Sequence, residues 1–455
     1  MKDRSNALDI VNGPLVKNLF TFAVPLMFSQ LLQILFNAAD TIVVGKFAGE
    51  SALAAVGATG SLVFLLTSMF NGLSTGSNVI IARCLGSGDE KRIEEAVHTS
   101  IVMALISGVF LTVFGIVLAP VLLRIMNTPE AFIHLSVRYM RIYFSGVIFL
   151  LVYNFASAVL RSKGDTKRPL YYLFFSGVIN VLLNLFSVVV LHMGVAGVAI
   201  ATVVSEAVSA VLVCHALITA EDATHLDVHK LRANKDVVLE ILQIGIPAGL
   251  SGVVFALSNV VIQSSINSFN STSIVAGNSA GANIENFVYI GMFAFSQATI
   301  TFTSQCIGAG RKDRIRPIMR MTMLLTCVSA GLVSCLLTFF GPSLLRLYTD
   351  EQAVIDVGMI RTSWVARLLV LNGIMDIFIN SMRGMGYSGA PTAVMLAGIC
   401  GVRLAWIWLV FPHIGTLDSI YMCYPISWIV TSVVEYILYL RIYGKVCGNL
   451  KEAAA

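Results

Sequence analysis

The sequence predicts an all-α integral membrane protein. Twelve transmembrane helices are expected, built as two parallel six-helix repeats that form two lobes around a central cavity. Three observations lead there: a composition suited to lipid, twelve apolar runs of bilayer length, and a self-alignment at a single offset. Of 455 residues, 57% are hydrophobic and 12% charged, and the mean hydropathy is +0.83. Soluble chains carry about 25% charged residues, so this chain has too few to cover a water-exposed surface. Its hydrophobicity excludes disorder. A net charge of +5 spread over the whole length makes no basic stripe, which argues against a nucleic-acid partner.

A helix needs about 20 apolar residues to cross the hydrocarbon core. The first half holds such runs near 18–45, 53–82, 96–119, 138–160, 169–191 and 194–219. The second half holds them near 238–268, 274–304, 318–340, 353–382, 390–411 and 419–440. They are continuous rather than alternating, so they are not barrel strands, and helix alone satisfies backbone groups within each segment. No cleavable signal peptide is expected, because Met1–Asn12 is polar and the first apolar run is too long for one. Alternate connections collect 21 of the 30 Lys and Arg, including Lys2, Arg4 and Lys451 in the tails. The opposite set holds only Lys46, Arg124 and Arg346. This positive-inside asymmetry predicts both termini in the cytoplasm. The eight cysteines form no C-x-x-C pair and imply neither a disulfide framework nor a zinc site.

The chain aligns with itself, ungapped, at an offset of 222. Pro25 falls on Pro247, Ser29 on Ser251 and Asn37 on Asn259. The loop L-G-S-G-D-E-K-R-I (85–93) falls on I-G-A-G-R-K-D-R-I (307–315), and Arg161, Gly164 and Pro169 fall on Arg383, Gly386 and Pro391. With six spans each, the halves share one orientation and are parallel repeats. The expected division is 1–219 for the first lobe, 220–237 for a cytoplasmic linker and 238–455 for the second lobe. Two similar bundles suggest rocking around a site near mid-membrane. The glycine loops lack the flanking strand and the G-x-x-x-x-G-K-[ST] pattern of a phosphate cradle. They read as tight cytoplasmic turns. Without a nucleotide site or cofactor, an ion gradient must drive any uphill transport.

Polar residues within the spans are functional candidates, because each ionisable group in lipid costs at least about 2.5–3.5 kcal/mol. On the first helix Gln33, Asn37 and Asp40 share a face, with Pro25 upstream to kink it. The fourth helix carries Asn154. Asn180 and Asn184 share a face of the fifth, and Thr202 and Glu206 share one of the sixth. These first-half residues are expected to form one polar pocket with Asp40 as its carboxylate. Low dielectric favours a neutral carboxyl group, so such a pocket suits proton exchange or a sodium ion ringed by amide and hydroxyl oxygens. In the second half Asp40 maps onto Ile262, Asn180 onto Val402 and Asn184 onto Trp406. Ion coupling is therefore expected in the first half. The roles of Glu285, Asp376 and Glu435 stay open, with helix-end or interhelical pairing as the alternative.

The whole chain resembles the multidrug and toxic compound extrusion (MATE) family. The resemblance rests on P-L-M-F-S-Q (25–30), N-A-A-D-T (37–41), the twin loops from Cys84 and Cys306, and R-S-K-G-D-T-K-R-P (161–169) with its partner R-G-M-G-Y-S-G-A-P (383–391). It covers roughly 14–445. It implies an inner-membrane antiporter, working as a monomer, that exports amphipathic, often cationic compounds in exchange for protons or sodium. In the branch with a first-lobe cation site, the first-helix aspartate matches Asp40, the fifth-helix asparagine Asn180 and the sixth-helix threonine Thr202. The second fifth-helix position is usually aspartate and here is Asn184. Losing one anionic oxygen weakens a hard cation and favours the proton. Another branch uses carboxylates in the second half, where Asp376 and Asn372 lie. A substrate pocket is expected to include Gln33, Asn37, Asp40, Asn154 and Glu206. Two other functions compete. A flippase for lipid-linked oligosaccharide or peptidoglycan precursors needs cavity Arg or Lys, for which Arg138, Arg141, Arg361, Arg367 and Arg403 are the candidates. An intramembrane enzyme needs clustered metal-binding carboxylates or a nucleophile with its base, and no such spacing occurs.

Overall fold

The computed structural model describes residues 8–126 and 128–448. Lys2, Arg4 and Lys451 of the charge asymmetry lie outside these residues. Six helices form the first repeat: α1 (Leu15–Phe47), α2 (Glu50–Ser87), α3 (Glu90–Ile125), α4 (Glu130–Ser162), α5 (Lys167–Leu185) and α6 (Val195–Ile218). A π-helical turn, Phe186–Val190, extends α5. The second repeat begins with α7 (Lys235–Asn267), α8 (Thr272–Gly308) and α9 (Ile315–Leu345). Its fourth span is broken into α10 (Gln352–Arg361), a π turn Thr362–Ala366 and α11 (Leu369–Gly384). Its fifth is α12 (Gly389–Met395), a π turn Leu396–Gly401, α13 (Val402–Leu409) and the short α14 (Phe411–Ile414). The last is α15 (Leu417–Gly448).

Ten of these segments are long and apolar enough to cross a membrane. The two that fall short are α8 and the broken fourth span of the second repeat. The first carries Asn278, Asn283, Glu285 and Asn286 in one stretch, and the second is broken into helices of 10 and 16 residues, each too short to cross. Expected span positions and observed helices otherwise coincide. The third helix of each repeat shows an exposed apolar stripe at equivalent positions: Ile106, Phe110 and Val117 on α3, and Val328, Leu332 and Phe339 on α9. Large apolar side chains exposed in register on both copies are what lipid-facing surfaces require.

The duplicated turns explain their glycines. Gly88 and its equivalent Gly310 have φ of 72° and 69°, and Gly164 and Gly386 have 88° and 96°. Only glycine takes such values without a Cβ penalty. Gly88 also closes α2, its N–H donating to the Cys84 carbonyl at 3.1 Å, and the Asp89 carboxylate then caps α3 by accepting from the Arg92 N–H at 3.1 Å.

Two compact units emerge. One comprises residues up to Gly13 with Val24–Gly249, and the other Pro14–Ala23 with residues from Leu250 onward. In the first unit α4 packs on α2, α3 and α6, with Leu62, Leu111, Met140, Phe144 and Leu151 in its apolar core. The start of α7 belongs here as well. Gly72 and Gly76 of α2 meet Gly245 and Gly249 of α7, two small-residue pairs of i, i+4 spacing that allow close backbone approach. A Cβ on Gly76 would stand 2.5 Å from the Ile241 carbonyl oxygen. We expect Gly76→Leu to cost about 1–3 kcal/mol or more by overpacking, read as loss of the monodisperse peak in detergent. Gly57→Leu on the same helix, where nothing lies within 4 Å, is expected to be silent.

The linker is folded onto this unit. The Asp227 N–H donates to His98 Nε2 at 3.1 Å, the Asn234 N–H to Thr99 Oγ1 at 3.0 Å, and Asn234 Nδ2 to Glu95 at 3.0 Å. Lys163 Nζ meets the Asp222 carboxylate at 3.1 Å. Partial burial pushes the Asp222 carboxyl upward, but the Thr224 hydroxyl, the Lys163 ammonium and the Thr224 N–H outweigh it and hold it below its ordinary value. In the second unit α8 packs on α9, and α11 on α8, α9 and α15. Phe20 and Phe22 at the start of α1 join it, edge-to-face on Phe295 and Phe302 of α8.

Candidate functional site

Asp40 sits in the last two turns of α1, and Asn184 is the penultimate residue of α5, immediately before its π turn. Such turns widen the helix and commonly accompany functional sites. The Asn184 amide group donates to Asp40 Oδ1 and, at 3.3 Å, to Asn180 Oδ1. The Asn180 amide donates to Ser205 Oγ of α6 at 3.4 Å, and the Ser205 hydroxyl donates to the Thr202 carbonyl at 2.8 Å. Three helices are thereby tied around one carboxylate. Asn184 is fully buried, yet its Oδ1 has no hydrogen-bond partner among the described residues. A buried acceptor without a donor is costly, so the group keeps one unused acceptor beside the amide that holds Asp40.

A second carboxylate stands near. Glu206 of α6 has a buried Oε2 without a partner. Tyr139 of α4 lies within electrostatic reach of both Asp40 and Glu206, and Tyr143 within reach of Glu206. The two tyrosine rings stack with centroids 6.2 Å apart. Carboxylates beside aromatic faces suit an organic cation.

The other expected residues fall differently. The Thr202 hydroxyl turns back to the Val198 carbonyl at 3.0 Å, so it adjoins the group through its backbone. Asn154 donates to Asn71 Oδ1 of α2 at 2.8 Å and forms a separate pair. Gln33 and Asn37 are exposed on α1 and take no part in the hydrogen-bonded group. Ser205 and Tyr139 were not singled out from the sequence, yet the repeat marks both. Ser205 corresponds to Ser427, which accepts from a fifth-span side chain in the other half, Arg403 Nε at 3.1 Å. Tyr139 corresponds to Arg361.

The second unit has polar groups of its own. Ile262, at the position of Asp40, is buried in an apolar core. Arg361 donates to both oxygens of Glu285 at 2.8 Å and to Asn278 Oδ1 at 2.6 Å, all buried. Farther along, Arg383 donates to Ser251 Oγ at 2.6 Å and Asn380 Oδ1 at 3.2 Å. Asp376 and Glu435 lie within electrostatic reach of Arg383. Glu435 is fully buried, and neither carboxylate oxygen has a partner among the described residues. Of the arginines weighed for a flippase, Arg361 and Arg403 are therefore the buried ones, and Arg361 has a carboxylate counter-ion.

A duplicated, all-helical membrane fold with buried polar groups inside each repeat defines a membrane transporter. The MatE family matches residues 25–186 and again 247–409, so its two copies begin 222 residues apart, the offset of the internal repeat. The chain belongs to that family, and it is a MATE family transporter of two lobes. It is 28% identical over 443 residues to the probable multidrug resistance protein YoeA of Bacillus subtilis (strain 168), covering 94% of each chain. It is 24% identical to a protein of Shewanella oneidensis named FAD transporter, covering 100% of this chain and 99% of that one. The fold matches, with a TM-score of 0.90 at 20% identity, an outward-facing multidrug resistance MATE family transporter, covering 97% of this chain and 99% of that one.

Proposed function

We propose that this protein is a secondary antiporter that exports amphipathic, often cationic compounds across the plasma membrane in exchange for protons. It works as a monomer by alternating access, with both termini in the cytoplasm and Asp40 as the coupling carboxylate. The observation that carries the reading is the buried group around Asp40. One carboxylate is held by Asn184, whose own oxygen lacks a donor. A proton on Asp40 and a cationic substrate then compete for one charge, and that competition is antiport. Sodium is the weaker candidate, because the fifth-helix position that would supply a second anion is Asn184, and it turns an N–H toward Asp40. Glu206 with Tyr139 and Tyr143 supplies the adjoining surface for the organic cation. The multidrug resistance name of the Bacillus relative supports the substrate class.

Ethidium efflux from energised, pump-deficient cells tests this, with external pH and sodium varied separately. Efflux is expected to quicken as external pH falls and to ignore sodium. A sodium requirement without a pH response overturns proton coupling. No efflux at matched expression overturns the drug-export reading.

A further inference from the structure

The second unit carries a half-open cavity of about 230 Å³ whose chemistry differs from that around Asp40. Its charges are already matched. Glu285 accepts twice from Arg361, and a third Arg361 donor, on Nη1, goes to Asn278, whose Oδ1 also accepts from the Tyr421 hydroxyl at 3.0 Å. Asn278 Nδ2 donates to Gln263 Oε1, and Gln263 Nε2 to Asn267 Oδ1, both at 2.9 Å. An incoming cation or anion would have to break a bidentate buried pair, which costs several kcal/mol. An uncharged ligand leaves it intact.

What the cavity still offers is different. Asn259 and Asn286 both line it, and neither side chain has a hydrogen bond to another described residue. Each presents one acceptor and two donors. Phe255, Tyr289 and Tyr424 supply flat walls. Tyr424 is held in place, with the Arg403 guanidinium 4.3 Å from its ring centroid and that of Arg361 5.7 Å away. The volume is below the roughly 300–1,000 Å³ of pockets for whole drug-sized ligands, which fits one fused ring system. π turns flank both arginines, ending at Gly401 before Arg403 and starting after Arg361. Three of the polar residues that interrupt the apolar run of α8, Asn278, Glu285 and Asn286, line this cavity.

We propose that this cavity is a second binding site, which takes an uncharged planar heteroaromatic ring by stacking on Tyr289 and Tyr424 and by pairing the ring's donor–acceptor edge with Asn259 and Asn286. It is separate from the Asp40 group, and its ligand class does not depend on which ion that group exchanges.

Riboflavin is a suitable probe, being an uncharged fused ring with an imide edge and a fluorescence that stacking quenches. Titrated with the full-length protein in detergent, it is expected to show saturable quenching. Methylating its imide nitrogen blocks the edge and is expected to weaken binding by roughly three- to tenfold, the effect of losing a hydrogen bond to the partly exposed amides of Asn259 and Asn286. This arm uses the unaltered protein, so it does not depend on a variant folding. Asn259→Ala with Asn286→Ala is expected to weaken riboflavin by a similar factor and to leave ethidium binding unchanged, while Asp40→Asn does the reverse. No saturable quenching, equal affinity for the methylated compound, or loss of riboflavin binding in Asp40→Asn would each overturn the site. Loss of ethidium binding alone would bear on Asp40 and not on this cavity.

Discussion

Asp40→Asn is expected to abolish proton-linked efflux while the protein stays folded. The substitution keeps the shape of the side chain and an oxygen that still accepts from Asn184, so the ties among α1, α5 and α6 persist. What disappears is the charge and the titratable proton. Coupling between two ligands amounts to about 1–3 kcal/mol, a 5- to 150-fold effect, so ethidium efflux should fall roughly tenfold or more and lose its dependence on external pH. Thermal unfolding in detergent should be unchanged within about 1 kcal/mol, because no packing is lost. A variant that keeps pH-dependent efflux would move the coupling group elsewhere. Glu206 or the unpartnered Glu435 would then be the next to test.

Glu285→Leu is expected to be the most destabilising single change in the second unit. Arg361 is nearly buried, and Glu285 takes two of its donors. Removing the carboxylate leaves a buried guanidinium charge with no counter-ion, held only by Asn278 beside Tyr421 and Tyr424, at a cost of about 3–5 kcal/mol. The thermal midpoint in detergent should drop accordingly. Replacing both residues, Glu285→Leu with Arg361→Leu, removes charge and counter-charge together and should recover most of the loss. The double-mutant cycle reads the coupling directly. If the single variant unfolds like the wild type, the pair is not a structural strut.

The helices were legible because a bilayer-length apolar run is a local property of the chain. So was the duplication, which the turn glycines Gly88 and Gly310 repeat in their backbone angles. Spacing also placed Gln33, Asn37 and Asp40 on one face of α1. Periodicity, however, identifies a face and not its neighbours, and only Asp40 of the three joins the hydrogen-bonded group. Asn154 likewise shares the first half with Asp40 but pairs with Asn71, because α4 lies against α2 there. Tyr139 carried no signal in its own helix. Its repeat partner Arg361 was weighed only as a flippase arginine, although a tyrosine and an arginine at equivalent positions in two apolar helices mark a place where the repeats diverged in chemistry.

The amino-acid sequence by itself determined that this protein lives in lipid, is built from apolar helical runs of bilayer length, is duplicated, and carries an aspartate on its first helix. These follow from composition and from periodicity within single segments, where the controlling contact is with the solvent. Only the tertiary structure decided which polar groups meet. Asn184 reaches Asp40 across 144 residues, and Arg361 reaches Glu285 across 76. Such pairings depend on how helices pack, and in lipid a polar side chain must find its partner on another helix wherever packing brings one within about 3 Å.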